Sequence, residues 1–263
     1  MKFESITSKS NDKIKRVSLL IRSASERKKQ GVFVLEGLRL CKDCVLSNVN
    51  VCELYFTQEA YEKHKEDVLL LIDNSKKSYC VTGDIIAKIS DTNNSQGIVG
   101  VISFVDLSVN NSINPDGRYI ACENMSDPSN LGAIARTAEA LGLSGMILID
   151  HCCDVYNPKA LRASMGSLLR LPLHFFKDKK DLRVCCSDNN MRLIASVVHG
   201  EATEIKDFVF KNGDIVIIGN EANGMTCELI DLCDEKITIN IKGRAESFNA
   251  AVAASIIMWE LNS

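Results

Sequence analysis

From residue 118 to residue 261 the chain alternates between short, continuously apolar runs and amphipathic stretches, and this alternation most limits what it can fold into. Ile215-Val-Ile-Ile218 is apolar at every position. A strand with one wet face alternates with period two, so continuous runs mark strands covered on both sides, as in a parallel sheet. The pattern predicts strands at 118–123, 145–150, 172–176, 192–198, 214–219 and 236–241. It predicts helices at 130–141, 158–168, 179–188, 226–233 and 247–261. In open α/β sheets ligands gather beyond the carboxyl ends of the strands. That rule puts Glu123–Asn130, His199–Gly200, Gly219–Met225 and Ile239–Asn249 along one edge.

Upstream lies a smaller α/β pattern. A helix is expected over 11–24, where Ile14, Val17, Leu20 and Ile21 recur at helical spacing. Strands are expected at 32–35, 51–57, 78–81 and 98–105, with helices at 37–47 and 58–64. Residues 107–117 are dominated by Asn, Ser, Pro and Gly and read as a linker. The expected organisation is a first domain over 1–106, that linker, and a second domain over 118–263. With 263 residues, 46% of them hydrophobic, the chain can bury two cores without metals or disulfides.

The net charge of -3 argues against a nucleic-acid partner, but its distribution argues for one. Residues 1–30 hold nine cations (Lys2, Lys9, Lys13, Lys15, Arg16, Arg22, Arg27, Lys28, Lys29) against Glu4, Asp12 and Glu26, a local charge of +6. A basic end on an acidic body suits a phosphate backbone, with Lys13, Lys15 and Arg16 as contacts. A solvated helical face explains the same residues equally well. Of the eleven cysteines, only Cys41-Lys-Asp-Cys44 has C-x-x-C spacing, and no second pair matches it, so no metal site is expected. The charged start lacks a signal-peptide stretch and no run is long enough to span a bilayer, which points to a reducing cytoplasm.

Three segments of the second domain carry polar residues into apolar surroundings. The first is Asn130-Leu-Gly-Ala-Ile-Ala-Arg136-Thr-Ala138. Alone, Asn130 reads as a helix N-cap and Arg136 as a partner for Glu139. The second, Gly219-Asn-Glu221-Ala-Asn-Gly224-Met225, has the glycines of a phosphate loop but Met225 where a lysine is needed, which disfavours nucleotide triphosphate chemistry. The third runs from Ile239 through Ser247-Phe248-Asn249 into the apolar helix Ala250–Trp259, which crosses a core or forms a subunit interface. Ser247 alone reads as its cap. A fourth patch, Leu161-Arg162-Ala-Ser164-Met-Gly166, reads as a helix end or as a close approach to RNA, with Arg162 a phosphate contact.

In order and spacing the three segments resemble the signature motifs of the SpoU/TrmH branch of the SPOUT RNA methyltransferases. The likeness covers roughly 118–263. The first domain, through Phe33-Val-Leu-Glu36-Gly37, looks like the small RNA-substrate-binding unit often fused to these enzymes. The resemblance implies a SPOUT-type parallel sheet with a C-terminal trefoil knot, working as a homodimer. It implies S-adenosylmethionine as methyl donor and a ribose 2′-hydroxyl of structured RNA, most of all 23S ribosomal RNA, as acceptor. Arg136 matches the arginine that activates or orients the hydroxyl, and Asn130, Glu221, Ser247 and Asn249 match the polar residues shaping the site. Gly219, Asn220, Gly224, Ile239, Ile241, Phe248 and Asn249 match the donor pocket.

Three positions depart from the family pattern: Ala222 replaces a glycine, Asn240 a proline and Phe248 a leucine. Ala222 would crowd the loop if that position needs positive φ. The departures motivate a competing reading, a catalytically silent RNA-binding protein, and transfer RNA is a competing substrate.

Overall fold

The structure, a computed structural model, describes residues 3–92, 94–105, 113–198 and 200–263. Lys2, most of the expected linker and His199 lie outside the described residues. The chain divides into two compact units, Met1–Val105 with Tyr156–Arg162, and Asp106–Val155 with Ala163–Ser263.

The first unit contains β1 (Glu4–Ile6), α1 (Asp12–Arg22), α2 (Ala24–Gln30), β2 (Val32–Glu36), α3 (Leu38–Leu46), β3 (Val51–Thr57), α4 (Gln58–Lys63), α5 (Lys65–Asp73), β4 (Ser75–Val81), α6 (Gly83–Lys88) and β5 (Ile98–Ser103). Its strands are ordered β1-β4-β3-β5-β2, with β5 antiparallel to both neighbours. The helix expected over 11–24 is α1 alone. Asn11 caps it by accepting from the Lys13 amide, and Ile14, Val17 and Leu20 are fully buried. Ser23 ends α1 and caps α2, which no apolar period announces because its sequence is almost wholly polar. What α2 buries is Arg27, whose guanidinium donates to the carbonyls of Leu20 at 2.6 Å and Ile21 at 3.1 Å. Tyr156 belongs to this unit because its ring stacks on Phe104 at 4.2 Å and Phe33 at 4.7 Å.

Beyond it follow β6 (Tyr119–Glu123), α7 (Pro128–Ala140), β7 (Gly145–Ile149), α8 (Pro158–Ser164), β8 (Leu173–Phe176), α9 (Lys179–Asp188), β9 (Arg192–Ser196), β10 (Thr203–Glu204), β11 (Asp214–Ile218), α10 (Cys227–Asp231), β12 (Glu235–Thr238) and α11 (Ala250–Leu261). The seven strands of the second unit are all parallel, in the order β10-β12-β9-β11-β6-β7-β8. This is the sheet the apolar runs predict. Every residue of β6, β7 and β11 is buried. Each fully buried Ile or Val here contributes on the order of 1.5–3 kcal/mol, most of it offset by lost chain entropy.

Several boundaries differ from expectation for local reasons. The helix expected at 158–168 breaks after Ser164, because Met165 (φ 50°) and Gly166 (φ 86°) are both left-handed; a short 3-10 turn follows. α7 starts at Pro128, two residues early, because Asp127 rather than Asn130 is its cap, accepting from the Ser129 amide at 2.8 Å. α11 starts at Ala250, because Asn249 rather than Ser247 caps it through the amides of Ala251 and Val252. The strand expected at 236–241 stops at Thr238.

Candidate active site

β6 and β11 lie side by side, yet from β6 the chain runs outward through β7 to β8 and returns through β9 before reaching β11. That reversal of winding leaves a crevice at the carboxyl ends of these two strands. Asn124, just beyond β6, is left-handed (φ 52°), a conformation asparagine tolerates better than most residues. Its carbonyl accepts from Asn220 Nδ2 at 2.8 Å and its side chain accepts from the His151 amide at 3.1 Å. The ends of β6, β7 and β11 are thereby tied together.

After β11 the backbone folds tightly on itself. Asn220 and Gly224 exchange both amide–carbonyl bonds at 2.9 Å, and Asn220 Oδ1 accepts from the amides of Ala222 and Asn223. A Cβ on Gly219 would stand 2.3 Å from the Gly224 carbonyl carbon and the Met225 nitrogen, so only glycine fits. Gly224 is left-handed (φ 68°). Ala222 is exposed and has no positive φ, so this departure from the family pattern crowds nothing. Asn240, where the family has proline, donates to Glu204 Oε1 at 2.9 Å, a tether in place of a rigid ring.

The loop presents Glu221 to the start of α7. Its carboxylate accepts from the amides of Asp127 at 3.0 Å and Ser126 at 3.2 Å, and from Asn130 Nδ2 at 3.0 Å. Asn130 in turn accepts from Asn249 Nδ2 at 3.0 Å. Residues from all three sequence motifs thus form one hydrogen-bonded line. Partial burial pushes the Glu221 carboxyl upward, but the bonds from Asn130 and from the Asp127 and Ser126 amides outweigh it and hold its pKa below the ordinary 4.5.

A cleft of about 1180 Å³ opens on this line. Of the residues the sequence singles out, it is lined by Asn130, Gly219, Asn220, Glu221, Gly224, Ser247, Phe248 and Asn249. Ser126, Asp127, Ser196, Val197, Val198 and Glu246 also line it; only Asp127 carried a sequence signal, as an acid just before a helix-starting proline. The lining residues include Asp127, Glu221 and Glu246 but no Lys, Arg or His among those described. Such a cleft favours a cationic ligand and repels phosphate.

Three groups of candidate residues lie apart from the cleft of this chain or are engaged elsewhere. Ile239 and Ile241 do not line the cleft: β12 has ended at Thr238, and both are half-buried in the irregular stretch that follows. Arg136 does not line it either. It is exposed on another face of α7, and its expected partner Glu139 is held by Arg170 at 2.8 Å. The four candidate RNA contacts are not an unopposed patch. Lys13 meets Glu4 at 3.4 Å, Lys15 meets Asp12 at 3.0 Å, and Arg16 is bound by both Glu53 and Gln30. Arg162 pairs with Asp91 at 2.7 Å. Arg22 and Lys28 are the exposed cations of this end with no partner among the described residues.

Comparison with known proteins follows the same division. The model of the SpoU rRNA Methylase family matches residues 117–259, and that of the MRM3-like substrate binding domain matches residues 11–100. An uncharacterized tRNA/rRNA methyltransferase of Synechocystis is 32% identical over 257 residues, 97% of this chain and 92% of that protein. A 23S rRNA (uridine(2479)-2′-O)-methyltransferase of Streptomyces viridochromogenes is 27% identical, covering 97% of this chain and 90% of its own length. The crystal structure of an AdoMet-bound rRNA methyltransferase from Sinorhizobium meliloti superposes with a TM-score of 0.86 at 25% identity, covering 99% of this chain and 98% of that one. No described helix is long and apolar enough to cross a membrane.

Proposed function

The chain belongs to the SpoU rRNA methylase family, and on that premise we propose that it methylates a ribose 2′-hydroxyl of 23S ribosomal RNA, using S-adenosylmethionine, as a cytoplasmic homodimer. The observation that carries the proposal is the Asn249–Asn130–Glu221 line at the mouth of a cation-free cleft. S-adenosylmethionine, when bound, supplies a methyl group on a sulfonium, whose carbon–sulfur bond breaks as the ribose oxygen bonds to the methyl carbon. The donor set fits that group: carboxylates, amide oxygens and backbone carbonyls favour a sulfonium, and the lining offers no competing cation. Gly219, Asn220, Gly224 and Phe248 form the wall that would hold it.

The cleft lining offers carboxylates but no cation to hold an RNA phosphate or to orient the hydroxyl, and a ribose hydroxyl stays protonated near neutral pH. Arg136 is exposed and unengaged. In a dimer whose interface includes α7 and α11, Arg136 of one subunit reaches the cleft of the other and orients the hydroxyl with the help of a substrate phosphate. The outward face of α11 supports this: Val252 and Trp259 are 47% and 64% exposed, with half-buried Ile256 between them at helical spacing. The first unit, matched by a substrate-binding model, delivers the RNA, and the stretch from Ile239 to Asn249 closes the family's trefoil knot. Ala222, one motive for a silent protein, is free of strain.

The experiment is methyl transfer from labelled S-adenosylmethionine to ribosomal and transfer RNA from cells lacking the protein, followed by mapping of 2′-O-methyl marks. A single new mark in 23S RNA, lost with Arg136→Ala, is the expected result. Label in transfer RNA alone rejects the substrate, and no label in any RNA rejects the activity.

A further inference from the structure

Glu123 is the last residue of β6 and is fully buried. A buried carboxylate is costly unless every oxygen is engaged. Here Oε2 accepts from the Thr226 amide at 2.8 Å, while Oε1 accepts from the Thr226 hydroxyl at 2.5 Å and from Lys179 Nζ at 3.4 Å. Lys179 is 12% exposed; its ammonium also lies 3.4 Å from Asp150, 3.3 Å from Glu228 and 3.1 Å from the Thr226 hydroxyl. It occupies the first position of α9, where the helix dipole disfavours a cation, so its placement is set by these acids.

Neither residue lines the cleft. Both act on Thr226, the residue that closes the 219–226 loop and caps α10. The loop is therefore gripped at both ends by consecutive residues: Asn220 donates to the Asn124 carbonyl, and Thr226 is held by Glu123. Between these grips lie Glu221 and Gly224, and Gly219 immediately precedes the first; all three line the cleft.

We propose that Glu123 and Lys179 are positioning residues, a buried ion pair that fixes the cleft-walling loop through Thr226 and so sets affinity for the methyl donor without touching it. This rests on the reading of the cleft as the donor site. A purely structural pair predicts something different: removing both charges together restores stability and donor affinity alike, because no fully buried charge is left unpaired; only Asp150 and Glu228, which keep access to solvent, lose the ammonium.

The test measures S-adenosylmethionine binding by calorimetry, with melting temperature and methyl-transfer kinetics, for wild type, Glu123→Gln/Lys179→Met, Thr226→Val and Thr226→Ser. In the double variant the expected result is near-normal melting, donor affinity about tenfold weaker and a maximal rate within about twofold of wild type. Thr226→Val, which leaves both charges in place, weakens the donor similarly, and Thr226→Ser restores it. Wild-type donor affinity in a folded double variant, or in Thr226→Val should the double variant fail to fold, overturns the proposal. Absence of donor binding by the wild type overturns the cleft reading itself, and this inference with it.

Discussion

Asn249 donates its side-chain amide to Asn130 Oδ1 at 3.0 Å, joining residues 119 positions apart. The same Asn249 caps α11 through its carbonyl oxygen, so one side chain starts a helix and completes the polar line to Glu221. The two roles are separable, because capping uses the oxygen and the line uses the nitrogen. Asn249→Asp retains the capping acceptor, loses the donor and puts a second negative charge toward Glu221. It should melt within about 1 kcal/mol of wild type yet lose most methyl transfer, whereas Asn249→Ala should lose activity and about 1 kcal/mol of capping energy. Equal activity in Asn249→Asp and wild type, measured beside thermal melts, would show that the line is incidental.

Arg136 is exposed and bonded to nothing in its own chain among the described residues, so removing it costs little stability. Arg136→Ala should melt within about 0.5 kcal/mol of wild type. Its methyl transfer should fall by about a hundredfold or more, with Arg136→Lys recovering little because a lysine lacks the planar fork. Mixing Arg136→Ala subunits with subunits disabled in the cleft by Asn130→Ala should restore part of the activity if the guanidinium works across the dimer. A mixture as inactive as its components excludes that arrangement.

Gly219→Ala places a methyl 2.3 Å from backbone atoms of Gly224 and Met225, which are not free to swing aside as a side chain is. The loop must open, at a cost of about 1–3 kcal/mol, and donor binding should be lost with it. Ala222→Gly, on the exposed tip, should bind donor as wild type does. Calorimetric titration of both variants checks the contrast.

Glu221 has a pKa below 4.5 in the folded chain, through the bonds from Asn130, Asp127 and Ser126 that outweigh its burial. A depressed carboxylate adds stability above its unfolded pKa and loses it as pH falls through the folded value. Thermal melts taken downward from neutral pH should therefore show an extra loss of stability beginning near 4.5, absent in Glu221→Gln. Parallel acid profiles for the two proteins would show that Glu221 contributes nothing to acid sensitivity.

Arg22 and Lys28 are the basic-end cations with no internal acid among the described residues, while Arg16 is spoken for by Glu53. Charge reversal at Arg22 and Lys28 should weaken RNA binding and lower the salt slope by about one for each phosphate left without its cation. Reversal at Lys15, beside Asp12, should act more weakly, and reversal at Arg16 should chiefly destabilise the first unit. Filter binding across a salt series separates these effects; a slope unchanged by the Arg22 and Lys28 changes would clear this surface of any RNA role.

Local pattern made the second sheet legible. β6, β7 and β11 are apolar throughout, and period alone distinguishes such strands from amphipathic helices. The same logic missed α2, whose only buried side chain is a cation satisfied by backbone carbonyls, and ran α8 through Met165, where a left-handed residue stops it. Helix starts went astray by two or three residues because the neighbouring cap candidates, Asp127 against Asn130 and Ser247 against Asn249, are chemically interchangeable in a sequence.

By itself the sequence determined a parallel α/β sheet, a polar set drawn from three separated segments and a Gly219–Gly224 turn, because periodicity, capping chemistry and glycine placement are short-range properties. Only the tertiary structure decided that Asn249 bonds Asn130, that Glu221 reads the start of α7, that Arg136 faces away from its own cleft, and that Glu123 is buried against Lys179. Each of those depends on the order in which β6, β9 and β11 pack, and strand order is settled by long-range burial that no local period encodes.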